Sequence, residues 1–196
     1  MDVPYTIEPR ADTGLYNAQL GVWLFIASEV MLFGALFSGY ALLRTGADAW
    51  PSSSRHLEVT LGGVNTLVLI ASSIVMALAV RSLRRARWGR GRRELAITWV
   101  LGLMFLAIKA HEYRKHVLAG ERPSSDNFFA IYYTLTGLHA LHVIGGLIVL
   151  AYLIGPGASM RRTQPARFTH RAAGLSLYWQ FVDVVWILVF VTVYLL

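Results

Sequence analysis

Long apolar stretches, separated by short polar segments, dominate the chain. Five stretches have the roughly 20 mostly apolar residues that a transmembrane helix needs. They run over about 20–43, 59–80, 95–113, 128–153 and 172–196. Each is far too long for a strand in the core of a soluble protein. The pattern predicts an all-α fold, with one transmembrane domain of five helices at residues 20–196 and a separate polar segment at residues 1–19.

Composition supports a membrane protein and excludes several other classes. Apolar residues make up 56 % of the 196 residues and charged residues only 15 %, whereas soluble domains carry about 25 % charged residues. The chain has no cysteine, which excludes disulfides, thiolate metal sites, iron–sulfur clusters and cysteine nucleophiles. Residues 1–19 hold three acids and one base, so they lack the basic region with which a signal peptide begins.

Basic residues are divided unequally between the two ends of the predicted spans. The N-terminal segment and the segments after spans two and four share one side and hold 12 Lys and Arg residues, against five on the other side. Because basic segments stay in the cytoplasm, the N-terminus is predicted inside and the C-terminus outside. The densest run lies at 81–93, in which Arg81, Arg84, Arg85 and Arg87 are candidate contacts for lipid head groups. No aromatic stacking pattern accompanies this run, so the net charge of +7 is not interpreted as nucleic-acid binding.

Four ionisable residues fall at a similar estimated depth near the middle of the bilayer: Glu29, His139, His142 and Asp183. Such groups are costly in lipid and usually face the bundle interior. Two interpretations stay open, a polar contact that holds helices together or a proton network. His139 and His142 share one helix, whereas the two axial ligands of one haem come from opposite sides of the ring. We therefore expect no haem and no metal ion bound by this chain.

A second polar layer falls nearer the outer end of the third span. It contains Lys109, His111 and Glu112, and Asn65 of the second span reaches the same level. The spacing of three between Lys109 and Glu112 predicts an ion pair near the outer interface. His111 and His116 are five residues apart, whereas the zinc-protease signature needs a separation of four. No nucleophile triad, phosphate-binding glycine loop or calcium loop is recognisable, so no catalytic residue is predicted.

Aromatic and small residues mark the ends and faces of the spans. Tyr113, Tyr132 and Trp179 lie near span ends, where aromatic residues typically form an interfacial belt. Small residues inside the spans, such as Gly145 and Gly146, permit close contact between helices. They fit either packing within this bundle or docking on a larger partner.

Four strings, each in a different span, resemble motifs of subunit III of the haem–copper terminal oxidases. In chain order they are GVWLFIASEVMLF at 21–33, Glu112-Tyr113, TGLHALHVIGG at 136–146 and YWQFVDVVW at 178–186. The first is similar to a helix whose Ser-Glu pair corresponds to Ser28-Glu29, and the second to a Glu-Tyr or Glu-Trp pair at a helix end. The third is similar to a Thr-Gly-x-His-x-x-His-Val box, and the fourth to the closing helix. The chain resembles the five-helix form of the family, which lacks the first two helices of the seven-helix form.

The resemblance implies a non-redox subunit of a proton-pumping respiratory oxidase that reduces oxygen to water. In this family the haems and copper belong to subunits I and II, while subunit III packs beside subunit I, holds phospholipids and supports proton uptake. It implies subunit I as the direct partner, subunit II and a small subunit IV as further partners, and the bacterial inner membrane as the location. The role of Glu29 in a hydrogen-bond network facing subunit I is a hypothesis. The implied orientation agrees with the distribution of basic residues.

The closing helix departs from the family pattern at two positions. The family usually has Trp-Tyr-Trp-His before Phe-Val-Asp, whereas Leu177 and Gln180 occupy the outer positions here. These departures keep an accessory subunit of a nitric oxide reductase, which shares this fold, as an alternative. A second alternative is a stand-alone proton or solute carrier, against which the lack of an internal repeat argues. The electron donor, cytochrome c or quinol, binds to other subunits in this family.

Overall fold

Five long helices form the chain in the computed structural model, which describes residues 16–47, 50 and 57–196. They are α1 (Asn17–Thr45), α2 (Val59–Arg84), α3 (Trp88–Leu118), α4 (Asn127–Ile154) and α5 (Pro165–Val189). A 3₁₀ turn, Pro156–Ser159, and one helical turn, Met160–Thr163, join α4 to α5, and α5 continues as a wider π-helical segment, Phe190–Leu195. All five helices are long and apolar enough to cross a membrane, and the described residues contain no strand. The predicted five-helix, all-α fold is confirmed.

The helices are longer than the apolar stretches that predicted them. Helix α3 begins at Trp88 rather than near residue 95, and α5 begins at Pro165 rather than near residue 172. Arginine is a good helix former and proline suits the first turn of a helix, so both helices extend beyond their apolar parts. At the other end of the chain, α1 begins at Asn17, inside the polar segment predicted at residues 1–19. Residues 1–15 of that segment lie outside the described residues.

The arginine run at 81–93 forms the end of α2, a tight turn and the start of α3. The Arg87 amide donates to the Ser82 carbonyl at 2.9 Å, and the Ala86 amide donates to the Leu83 carbonyl at 3.0 Å. This pair of bonds is the Schellman motif that ends many helices, and it places one residue in the left-handed region. That residue is Ala86, with a φ of 54°. The turn therefore fixes the arginine backbones at one end of the bundle, called the arginine-rich end below.

Helix α5 lies at the centre of the bundle and contacts α1, α2 and α4, while α2 and α3 pack as an antiparallel pair. Trp179 and Trp186 of α5 are fully buried. The assignment of Trp179 to an interfacial belt is therefore wrong, because glycines on neighbouring helices make room for its ring inside the bundle. A Cβ added at Gly146 would lie 2.7 Å from that ring, and one at Gly102 would lie 2.9 Å from it.

Helix α1 is the least covered of the five. Its buried residues, Ile26, Phe33 and Tyr40, recur every seven positions and form one narrow stripe against α4 and α5. On other faces of α1, Leu24 is 66 % and Met31 77 % exposed. The bundle therefore presents most of α1 to the lipid or to another protein.

Candidate functional site

Glu29 and His142 form a hydrogen-bonded pair between α1 and α4. His142 Nε2 lies 2.9 Å from Glu29 Oε2, and His142 Nδ1 lies 2.8 Å from the Leu138 carbonyl oxygen. Because that carbonyl can only accept, Nδ1 carries a proton. Nε2 then either accepts a hydrogen bond from a neutral Glu29 carboxyl group or, in an imidazolium, donates one to the Glu29 carboxylate. The pair is neutral overall in both forms, which removes most of the cost of placing ionisable groups in a membrane.

The surroundings of this pair are aromatic and partly closed. The Phe33 ring lies 5.3 Å from the His142 ring, and the Tyr178 hydroxyl donates to the His142 carbonyl at 2.7 Å. The side chains of Glu29 and His142 are 12 % and 13 % exposed. A cavity of about 630 Å³ between α1, α4 and α5 is lined by Tyr178 and by Phe25. The pair is thus shielded, and only a small part of its surface is accessible.

His139, although three residues from His142, belongs to a different environment. It is fully buried against Phe105 and Trp186, with ring centroids 5.5 and 5.2 Å away. Neither of its ring nitrogens has a hydrogen-bond partner among the described residues. Three residues turn an α-helix by about 300°, which leaves the two side chains about 60° apart, so His142 reaches α1 while His139 lies among the interior aromatic rings.

Asp183 is also separate from the Glu29–His142 pair. It is buried on α5, and the Ser73 hydroxyl of α2 donates to its Oδ2. Of the four mid-membrane residues predicted from sequence, the structure therefore brings together only Glu29 and His142. The contact of Asp183 with Ser73 joins α2 to α5, as expected for a polar contact between membrane helices.

Lys109 and Glu112 form a buried ion pair, as their spacing predicts. Lys109 Nζ lies 3.0 Å from Glu112 Oε2, and the two residues are only 3 % and 2 % exposed. Lys109 also donates to the hydroxyls of Tyr194 at 2.7 Å and Tyr132 at 3.2 Å. Both tyrosines donate to Glu112 Oε1, at 2.5 and 2.9 Å. All three ammonium protons therefore have an acceptor, as a buried charge requires.

His116 extends this cluster towards the end of α3. Its Nδ1 lies 2.6 Å from Glu121 Oε2, and its Nε2 lies 4.0 Å from Glu112 Oε1. The sequence pattern did not predict four members of this cluster: His116, Glu121, Tyr132 and Tyr194. The separation of four between Glu112 and His116 was a usable signal, because such residues share a helix face. Tyr194 offered no local signal, since it comes from the π-helical end of α5.

The predicted arginines line two adjoining cavities at the arginine-rich end. Arg81, Arg84 and Arg85 line a groove of about 420 Å³ between α2 and α5. Arg81 and Arg85 also line a smaller pocket of about 90 Å³, together with Arg87 and Arg90. The spacing along the chain therefore brings five arginines to two neighbouring cavities that share Arg81 and Arg85.

The family model for cytochrome c oxidase subunit III matches residues 11–196. The chain belongs to the cytochrome c oxidase subunit III family. The resemblance seen in the four motifs is confirmed, and the chain is a subunit of a terminal oxidase complex.

Similar curated proteins support the same conclusion. The cytochrome bo(3) ubiquinol oxidase subunit 3 of Pseudomonas aeruginosa is 33 % identical over 180 residues, covering 92 % of this chain and 85 % of that protein. The probable cytochrome c oxidase subunit 3 of Nocardia farcinica is 36 % identical, covering 89 % and 86 %. The cytochrome c oxidase subunit 3 of Synechocystis is 36 % identical, covering 90 % and 74 %. These names favour the oxidase over the nitric oxide reductase and carrier alternatives.

The described residues also fit a subunit without its own redox centre. Within residues 16–47, 50 and 57–196, no group of three His, Cys, Asp or Glu side chains could hold a metal ion. His111 is exposed whereas His116 is buried, so the two do not converge as a zinc site requires. In this family the haems and copper lie in other subunits.

Proposed function

We propose that this chain is the non-redox subunit III of a proton-pumping terminal oxidase and packs beside subunit I through α1. It supports the stability of subunit I during turnover, binds phospholipid and supports proton uptake. Subunit II and a small subunit IV are the further partners in the complex. The Glu29–His142 pair, 2.9 Å apart on the inner side of the least covered helix, carries this proposal.

The uncovered face of α1 supports docking on another membrane protein. Met31 and Leu42 are 77 % and 73 % exposed, and a Cβ added at Gly34 would meet nothing within 4 Å. Small residues on a membrane helix let a second helix approach closely. A helix of subunit I on this face would cover the exposed apolar side of α1, opposite the side that carries Glu29.

The orientation of the bundle in the membrane follows from its arginine-rich end. Trp88, at the start of α3, and Arg161 and Arg162, between α4 and α5, line one surface cavity. The two most basic segments therefore lie at the same end, which the distribution of basic residues assigns to the cytoplasm. The N-terminal segment lies on that side, residues 20–196 form one transmembrane domain, and the bacterial relatives support the inner membrane as the location.

The proton chemistry of the Glu29–His142 pair fits a supporting role. One proton can move between Oε2 and Nε2 without any change in the net charge of the pair. Such a pair can hold a proton between α1 and α4 while avoiding an isolated charge in the bilayer. We infer that Glu29 tunes the hydrogen-bond network facing subunit I indirectly, because its bond to His142 sets which face α1 presents to that subunit.

The test replaces Glu29 in the complete oxidase complex. Glu29→Gln and Glu29→Ala should lower either the initial rate of oxygen consumption or the number of turnovers before inactivation, with Gln less affected because it keeps a hydrogen bond to His142. Asp183→Asn is the matched control, since Asp183 is also a buried carboxyl group with a partner inside the bundle, Ser73, but it lies on the central helix α5 and not on α1. Normal assembly with unchanged turnover and durability in both Glu29 variants would contradict the proposal.

A further inference from the structure

The groove between α2 and α5 has an apolar interior and a basic mouth. Ala77 and Val80 of α2 face Ala173 and Leu177 of α5 across a volume of about 420 Å³. The arginines that line it lie at the C-terminal end of α2 and the apolar residues lie deeper in the bundle. Leu177 and Gln180, the two residues at which α5 departs from the closing-helix motif of the family, both line this groove. The space has the size and polarity to hold part of a hydrocarbon chain.

The smaller pocket beside the groove concentrates positive charge. Four arginines line it, Arg81, Arg85, Arg87 and Arg90, and Glu94 is the one acidic residue in its lining. Arg90 Nε donates to Glu94 Oε1 at 2.9 Å, which fixes this guanidinium and leaves its terminal nitrogens available. At about 90 Å³ the pocket is far smaller than the roughly 300–1,000 Å³ of sites for drug-sized ligands. It fits one small anionic group.

We propose that the groove and the pocket together bind one anionic phospholipid. Its phosphate lies among Arg81, Arg85 and Arg87, and an acyl chain lies between α2 and α5. Guanidinium groups bind phosphate oxygens through two parallel hydrogen bonds, which makes arginine suited to this role. This inference rests on the phospholipid binding in the proposed function and deepens it by naming the site and the class of lipid.

Sharing of residues between the two cavities favours a lipid over a free anion. Arg81 and Arg85 line both cavities, so a molecule with a charged group and a hydrocarbon chain would contact both. A soluble phosphate would leave the apolar groove without an occupant, and an uncharged lipid would leave four arginines facing a single carboxylate. The Schellman turn holds the Arg87 backbone beside the C-terminal end of α2, which places a third guanidinium at the same mouth.

The test measures lipid binding to the purified oxidase complex by native mass spectrometry. Phosphatidylglycerol is titrated against phosphatidylcholine, and the bound fraction gives a Kd for each. Removing two interfacial arginines in Arg81→Gln/Arg85→Gln should weaken phosphatidylglycerol binding about 30-fold. Leu177→Trp fills the groove and should weaken it roughly tenfold, the effect of withdrawing about two methylene groups from apolar contact.

The matched control is Arg92→Gln/Arg93→Gln, which removes the same charge from exposed positions of α3 that line neither cavity. This variant should keep the wild-type Kd. Equal weakening in the control would overturn the proposal, because it would show attraction to general surface charge. Displacement of phosphatidylglycerol by inorganic phosphate, with no effect of Leu177→Trp, would also overturn it and identify a free-anion site.

Two further readouts separate this inference from the proposed function. Each variant is scored for co-purification with subunit I and for oxygen consumption. Wild-type complex that carries subunit I but has no preference for phosphatidylglycerol would overturn the lipid site alone. A wild-type chain that purifies without subunit I would contradict the proposed function, whatever lipid it carries.

Discussion

The buried Lys109–Glu112 pair gives the largest stability change that we predict for this bundle. Glu112→Gln keeps the shape of the side chain and an oxygen for the two tyrosine donors, but it removes the negative charge 3.0 Å from Lys109 Nζ. The other acceptors of Lys109, the hydroxyls of Tyr132 and Tyr194, are neutral. An uncompensated buried charge of this kind costs about 3–5 kcal/mol, so the free energy of unfolding should fall by that amount.

A double-mutant cycle isolates the interaction between the two charges. Lys109→Met, Glu112→Gln and the double variant are compared with wild type by reversible unfolding of the purified chain in detergent with increasing dodecyl sulfate. Because the double variant carries neither charge, it should be more stable than the sum of the single losses predicts, with a coupling energy of about 2–3 kcal/mol.

The exposed pair of Lys115 and Glu58 is the matched control for this cycle. Its atoms are equally close, at 2.8 Å, but its side chains are 49 % and 55 % exposed. Exposed pairs contribute about 0–1 kcal/mol, so the cycle of Lys115→Met and Glu58→Gln should give a much smaller coupling. A loss below about 1 kcal/mol for Glu112→Gln, or equal coupling in the two cycles, would refute the reasoning from burial.

Two further predictions concern packing and pH. Gly146→Ala should lower the free energy of unfolding by about 1–3 kcal/mol, because the new Cβ would lie 2.7 Å from the Trp179 ring, whereas Gly34→Ala, with nothing within 4 Å, should be neutral in the same assay; equal effects would contradict this account. The hydrogen bond and charge of Lys115 hold the pKa of Glu58 below its ordinary value of 4.5. A carboxyl group whose pKa is lower in the folded than in the unfolded state stabilises the fold at pH values above its unfolded pKa. This contribution disappears as the pH falls through the folded pKa. The stability difference between wild type and Glu58→Gln should therefore shrink below pH 4.5, and a difference that grows there would contradict this prediction.

The spans and the local pairs were predictable because they depend on periodicity along one helix. Twenty apolar residues specify a membrane helix through length alone, and a spacing of three places Lys109 and Glu112 on one side of α3. Periodicity along one helix does not, however, predict which side chains of other helices complete such a pair. Tyr194 reaches Glu112 from the π-helical segment that follows α5, and no local pattern in the sequence carries that information.

The four ionisable residues predicted at a similar depth in the membrane do not all contact one another. Glu29 and His142 pair across α1 and α4, but Asp183 binds Ser73 and His139 lies among aromatic rings. Depth follows from position along a helix, whereas contact depends on helix rotation, which interior packing sets. Trp179 shows the same limit, because its place near a span end suggested an interface although glycines on α3 and α4 admit it to the core.

The most direct test of the central claim is photo-crosslinking from α1 within native membranes. A photoreactive residue replaces Met31, which is 77 % exposed on α1, or Leu67, which is 67 % exposed on α2. After purification in mild detergent, the eluate is analysed by a reduced-minus-oxidised spectrum and by oxygen consumption. We predict haem bands, oxygen consumption and a crosslink to subunit I from position 31 and not from position 67. A colourless eluate from the crosslinked membranes, or a crosslink to subunit I from position 67 alone, would contradict the account.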